Sequence, residues 1–176
     1  MKHLLFSLVA LCILTVVVSC DGPKKEEATQ IEIEQALEHN LADSTLVTGW
    51  YYIVSNEDGF KRQLDKTDDF YFVNPKPIVV KKHFSKVEIY ATDSFKEQQP
   101  ENHFAILLQI GKEYEDLWAN GTEKYVGKWI GLVIDNELVN VPMVKGKVEG
   151  GRSSLNRGVY SKEELESFLG KMKNDN

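Results

Sequence analysis

Apolar positions recur along this chain with several different periods, and each period predicts a different element. Leu4 to Val18 is an apolar run, too short for a comfortable membrane span and of the length of a signal-peptide core. Ile33, Leu37 and Leu41 recur every fourth residue, which predicts a short helix between Ile31 and Leu41. Gly49 to Val54 (GWYYIV) is aromatic and β-branched and reads as a strand. Lys61 to Leu64 and Phe70 to Val73 read as short strands, and Pro75 and Pro77 punctuate the chain before Ile78-Val79-Val80. Val87 to Tyr90 is a further short strand. Phe104 to Ile110 is nearly continuous apolar sequence and reads as a central strand.

The second half is the more ordered in pattern. Tyr114, Leu117, Trp118, Gly121, Tyr125 and Val126 fall on one helical face. Trp129 to Ile134 and Leu138 to Val141 are strands joined by Asp135-Asn136, two residues that tolerate the positive φ of a tight hairpin turn. Pro142 cannot donate to a ladder, so that strand ends there or lies at an edge. Gly150-Gly151 supplies a bend that a Cβ would hinder, and Ser153 to Val159 reads as a last strand. Ser161 with Glu164 three residues on is a capping-box pattern, opening a helix whose buried stripe is Leu165, Phe168, Leu169 and Met172. This order predicts an α+β fold: a mostly antiparallel or mixed sheet with two main helices packed on one face.

Composition changes the picture in three ways. With 42% hydrophobic and 27% charged residues in 176, the chain is long enough for one domain with appendages. A formal net charge of −6 leaves no electrostatic footprint for nucleic acid. The two cysteines are Cys12, inside the apolar run, and Cys20, directly after it, so the rest of the chain has no thiol for a disulfide or for catalysis.

The sequence Val17-Val18-Ser19-Cys20 resembles a bacterial lipobox, in which a peptidase cuts before the cysteine and the thiol carries a diacylglyceryl group. This predicts a lipoprotein signal peptide over residues 1–19 and lipid attachment at Cys20. An uncleaved anchor or an ordinary secretory signal is the alternative. Residues 20–48 are expected to form a lipid-anchored tether with a short helix, and residues 49–173 the folded domain. Asp21 resembles the inner-membrane retention signal of enteric bacteria. Lys24-Lys25-Glu26-Glu27 resembles the charged export tag of Bacteroidetes lipoproteins, and the expectation is a lipid-anchored envelope protein, outer membrane favoured over inner. Asp43-Ser44-Thr45 resembles a Bacteroidetes O-glycosylation acceptor with Ser44 as its site; a turn or cap is the plainer reading.

From Trp118 onward the chain resembles the head subdomain of the first periplasmic domain of SecD. Trp118, Ala119, Thr122, Gly127-Lys128 and the strand Ile130 to Asp135 match its pattern. Asn140-Val141-Pro142 and Gly150-Gly151 stand where the family has Ser-Ala-Pro and Gly-Gly, and Val159 to Leu165 looks like its last helix start. Weaker similarity reaches back to Pro77. Asn136 stands in place of the family's turn Gly. The resemblance implies the SecD-head fold and, as an expectation, contact with polypeptide emerging from the export channel. The family's membrane helices, with their ion-coupled motor, have no counterpart in this sequence.

Chemistry-bearing patterns are sparse. His3, His39, His83 and His103 show no metal-ligand spacing and read as solvated surface residues, so neither a metal nor another cofactor is expected. The G-x-S-x-G and Walker patterns are absent, and the expectation is a protein that is not an enzyme. Trp50, Tyr51 and Tyr52, with Asn140 and Arg152, are the candidate polypeptide-binding residues, and a strand edge near Val139 or Ser153 is a candidate for pairing with an extended peptide. The expected function is a non-enzymatic envelope lipoprotein that binds polypeptide or an envelope protein, linked to export. The alternative is a structural or cell-surface lipoprotein that reuses the fold without an export role.

Overall fold

The computed structural model describes residues 23–55, 58–98 and 100–174. In chain order these form α1 (Pro23–Asp43), β1 (Gly49–Val54), β2 (Phe60–Gln63), β3 (Phe70–Val80), β4 (Phe84–Ala91) and β5 (Phe104–Ile110). Then follow α2 (Glu115–Glu123), β6 (Ile130–Ile134), β7 (Glu137–Asn140), β8 (Arg152–Leu155) and α3 (Lys162–Asn174). The α+β class expected from the pattern is what the chain adopts, with its strands divided between two antiparallel sheets: β2-β3-β1-β6-β7 and β4-β5-β8.

The region expected to be a tether is helical from Pro23, a residue whose fixed φ suits a first helical turn. Its buried face is Ile33, Ala36 and Asn40, with Leu41 left 55% exposed. The every-fourth-residue stripe of Ile33, Leu37 and Leu41 is thus rotated toward Asn40. That polar side chain is fully buried because it is fully used: its amide donates to Pro75 O at 2.8 Å and its carbonyl accepts from Val47 N–H at 2.9 Å. α1 packs along β3 and belongs to the body of the fold.

Pro75 and Pro77 do not divide β3. The strand runs through both, and two register shifts against β1 absorb the missing donors. The larger sheet curls until its edges meet, with Leu64 bridging Leu138 and Asp65 N–H donating to Leu138 O at 2.9 Å. Inside the curl sit Leu46, Tyr51, Leu64, Val73, Val133 and Leu138. The larger core lies between the two sheets and α3, where Trp50, Val79 and Leu132 meet Ile106, Leu108 and Phe168.

Local signals hold at the turns and caps. Asp135 and Asn136 have φ of 51° and 64°, the left-handed values of the expected two-residue turn. Asn136 does more than turn: its Oδ1 accepts from Leu46 N–H at 3.0 Å and from Arg62 Nη2 at 3.0 Å, ties that a glycine cannot make. Gly150 and Gly151 both have positive φ, and a Cβ on Gly151 would come within 3.1 Å of Ile110 O. Ser161 and Glu164 exchange both capping-box bonds, at 3.3 and 2.8 Å, worth about 1 kcal/mol to α3.

Candidate functional site: an open strand edge beside a lysine-rimmed groove

Four strands end the two sheets; two of these edges close on each other and a third carries a side-chain bond. β2 and β7 meet each other at Leu64 and Leu138. β8 is held from outside by Asn140, whose amide donates to Ser154 O at 3.2 Å. On the outer side of β4 no strand is paired among the described residues. The first residues of β4 carry a register shift between Phe84 and Lys86, and pairing is regular from Lys86 to Ala91. Thr92 N–H donates to His103 O at 2.7 Å. By the alternation of an antiparallel ladder, Lys86, Glu88 and Tyr90 then bond to β5, while Val87, Ile89 and Ala91 turn their N–H and C=O groups outward.

A groove of about 700 Å³ opens at the start of this edge. Its apolar lining comes from Ala36 of α1, Val80 of β3, Phe84 and Val87 of β4 and Met172 of α3. Lys81, Lys82, Lys86 and Lys173 stand around it, with Glu32 the one carboxylate in the lining. In a chain of net charge −6 this is a local reversal of sign.

One wall of the groove is held by His83. The ring is fully buried and stacks on Tyr114 with centroids 4.2 Å apart. Its Nδ1 accepts from Val80 N–H at 3.3 Å, so the proton sits on Nε2 and is donated to Glu32 Oε2 at 2.9 Å. Lys82 pairs with the other oxygen of Glu32 at 3.1 Å. Burial pushes the His83 pKa down, against the raising effect of Glu32. For Glu32, burial acts upward, but the hydrogen bonds from His83 and Lys82 outweigh it and hold the carboxyl below its usual range. The expectation that His83 is a solvated surface residue is therefore corrected: it is the joint between α1 and the turn that leads into β4. The pattern Val-Val-Lys-Lys-His-Phe held a signal for this, a histidine between an apolar run and Phe84.

The residues singled out from sequence do not form one open surface. Trp50 is 1% exposed, with Nε1–H donating to Ser153 Oγ at 3.1 Å, and Tyr51 is fully buried with its OH donating to Val47 O at 2.6 Å. Alternate residues of β1 face opposite sides, and both sides are core, so neither ring can be offered to a peptide. Tyr52 is half-buried, stacked on Tyr125 at 4.1 Å and bonded to Gly121 O at 3.2 Å. Asn140 is buried and used on Ser154. Arg152 is exposed on β8, and Ser44 is exposed in the turn after α1 with φ of 53°. Cys20 lies outside the described residues. The edge near Val139 is sealed: Val139 O accepts from Arg157 Nη1 at 3.0 Å and from Tyr160 OH at 3.1 Å. Of the two edges named from sequence, both terminal strands, the one at Val139 is closed, while β8 at Ser153 carries the Asn140 bond to Ser154 O on its outer side.

Among the described residues no group of three or more His, Cys, Asp or Glu gathers in a way that could hold a metal ion. No described helix is long and apolar enough to cross a membrane.

This antiparallel α+β fold is similar to that of a solved SecDF structure. Over 78 residues, 44% of the chain, the sequence is 32% identical to the protein translocase subunit SecD of Rhodothermus marinus. That stretch is 12% of the relative, so the chain spans about an eighth of its length. A solved structure of SecDF, a membrane component that enhances protein export, aligns with a TM-score of 0.55 at 16% identity, over 82% of this chain and 68% of that one. Another, of SecDF in a super-membrane-facing form, gives 0.49 at 19% identity over 82% of this chain and 16% of that one. No family model matches the chain. The SecD likeness expected from the motifs is present in both sequence and structure.

Proposed function

We propose that this chain is a non-enzymatic, lipid-anchored envelope protein whose SecD-like domain binds extended polypeptide in connection with protein export. The anchor is Cys20, with residues 1–19 as its signal peptide, and the outer membrane is the favoured site. The observation that carries the binding reading is the outer side of β4, where Val87, Ile89 and Ala91 present backbone donors and acceptors beside the apolar groove. A segment added there by strand pairing would be held through its backbone with little demand on its sequence. Its alternate apolar side chains would enter the groove, and the lysines around the rim favour a segment with acidic flanks.

The test is photo-crosslinking in living cells from residues placed at Lys86 and Tyr90, with Arg152 on β8 as comparison. Adducts with exported chains at the two β4 positions, lost when Ala91→Pro removes an outward donor, are the expected result. Equal crosslinking from Arg152 would take the contact off the β4 edge, and adducts with surface components alone would return the fold to a structural role without export. Replacement of Cys20 by Ser should release the protein from the membrane fraction.

A further inference from the structure

Three of the seven exposed large apolar side chains among the described residues lie together at the far end of the β6–β7 hairpin. Trp129 is 42% exposed and Met143 44%, and the two are cross-strand partners. Val126, 50% exposed, lies in the turn just before, which is laced to the second strand by Gly127 N–H to Val144 O and Val144 N–H to Lys128 O, both 2.8 Å. The backbone here is fixed, so these side chains are held outward rather than left loose.

The two chain segments that carry these side chains are basic. Residues 124–129 and 142–147 contain Lys124, Lys128, Lys145 and Lys147 and no acidic residue, in a chain whose net charge is −6. All four lysines are exposed. Lys147 pairs with Glu123 at 3.5 Å, and Lys128 lies 4.9 Å from the Tyr125 ring centroid. Protein-binding hot spots favour arginine with their tryptophans and are depleted in lysine. An exposed Trp in a lysine-rich segment is instead the composition of a surface that meets lipid headgroups.

We propose that this patch is a membrane-contact surface: Trp129, Met143 and Val126 enter the headgroup boundary of an anionic leaflet, and the lysines face its phosphates. This goes beyond the polypeptide-binding reading and does not depend on it. Contact made here would also set the orientation of the domain on the membrane, which attachment through a lipid on one residue would not.

The full chain is mixed with vesicles carrying brominated acyl chains, either of phosphatidylcholine alone or of phosphatidylcholine and phosphatidylglycerol in equal parts. Trp50 and Trp118 are 1% and 2% exposed, so quenching reports Trp129 however else the chain reaches the vesicle. Quenching on the anionic vesicles and little on the neutral ones is expected, with Trp129→Phe removing the signal. Joint replacement of Lys124, Lys128 and Lys145 by Gln should lower Trp129 quenching on the anionic vesicles to the level of the neutral ones, each lysine near an anionic surface being worth about 1 kcal/mol. These are exposed positions, and an unchanged thermal transition confirms that each variant is folded. Absence of quenching on anionic vesicles overturns the proposal. So does quenching that is equal on neutral vesicles and indifferent to the lysines, or a Trp129 response to polyglutamate and none to anionic vesicles.

Discussion

β7 and β4 are both terminal strands of antiparallel sheets, yet the fold treats them in opposite ways. On β7 the outward carbonyls of Leu138 and Val139 are taken by Asp65 N–H, Arg157 and the Tyr160 hydroxyl. On β4 nothing comparable is paired to the outer side among the described residues, and a groove lies alongside. An unpaired edge is a hazard that folded proteins cover, twist or charge. Here β4 has a register shift at its start and Lys86 and Glu88 on its outer face, which restrain pairing without closing the edge. The difference locates where a second chain can add a strand, and it does so from backbone bonds rather than from conspicuous side chains.

The largest expected effect comes from opening the sealed edge. Arg157 Nη1 lies within 3.0 Å of Asp65 O, Val139 O and the Tyr160 hydroxyl. Arg157→Ala leaves the Asp65 carbonyl without that donor and Val139 O with the Tyr160 hydroxyl alone, and should cost about 2–3 kcal/mol in denaturant unfolding, given about 1–3 kcal/mol for a partner left unmatched and about 1 kcal/mol for each further bond lost. The variant should also gain a tendency to self-associate through β7, visible as concentration-dependent sedimentation. If it stays as stable and as monomeric as the parent, the contrast between the edges has no energetic basis.

The next effect tests the wall of the open edge. The groups facing His83 are Glu32 from α1, Glu113 and Tyr114 from the segment before α2, and Lys82 beside it. Its folded pKa is depressed by burial from the usual 6.5, so the unfolded chain binds the extra proton first. The stability held by neutral His83 is therefore complete above about pH 6.5 and declines as pH falls below that value toward the folded pKa. Glu32, also depressed, adds a loss in the same direction at still lower pH. Hydrogen exchange of the α1 amides, corrected for intrinsic rate, should accelerate between pH 7 and 5. His83→Phe keeps a ring against Tyr114, cannot titrate, and should flatten that profile at a cost of about 1–2 kcal/mol for the unmatched Val80 N–H and Glu32. A profile unchanged in the variant would remove His83 from the account.

How far the sequence foretold all this depends on the range of the interaction. The Asp135-Asn136 turn, the Gly150-Gly151 bend and the Ser161-Glu164 cap are decided within a few residues and were legible. Fold class was legible too, from the order of the periods. Trp50 and Tyr51 were misjudged as surface because alternation distinguishes the two faces of a strand but does not say that both are covered. His83 looked solvated because its partner Glu32 is 51 residues away, and Asn40 drew no notice because its partner Pro75 is 35 residues away. The continuity of β3 through two prolines depended on its pairing with β1. The open edge was the least legible feature, since it follows from the order β4-β5-β8 and from what does not pair with β4.

The smallest expected effect on stability is the one that most sharpens the contrast. Ala91 is exposed, and its N–H points away from β5 by the ladder's alternation. Proline there removes no ladder bond, and edge positions tolerate its ring. Ala91→Pro should therefore shift unfolding by less than about 0.5 kcal/mol, within the range of ordinary surface substitutions. The same change removes one of the three outward N–H donors, those of Val87, Ile89 and Ala91, that an added strand would meet. A variant that unfolds like the parent but no longer captures unfolded chains would separate binding from folding on this edge. A large loss of stability would mean that the Ala91 N–H already has a partner, and that β4 is as closed as β7.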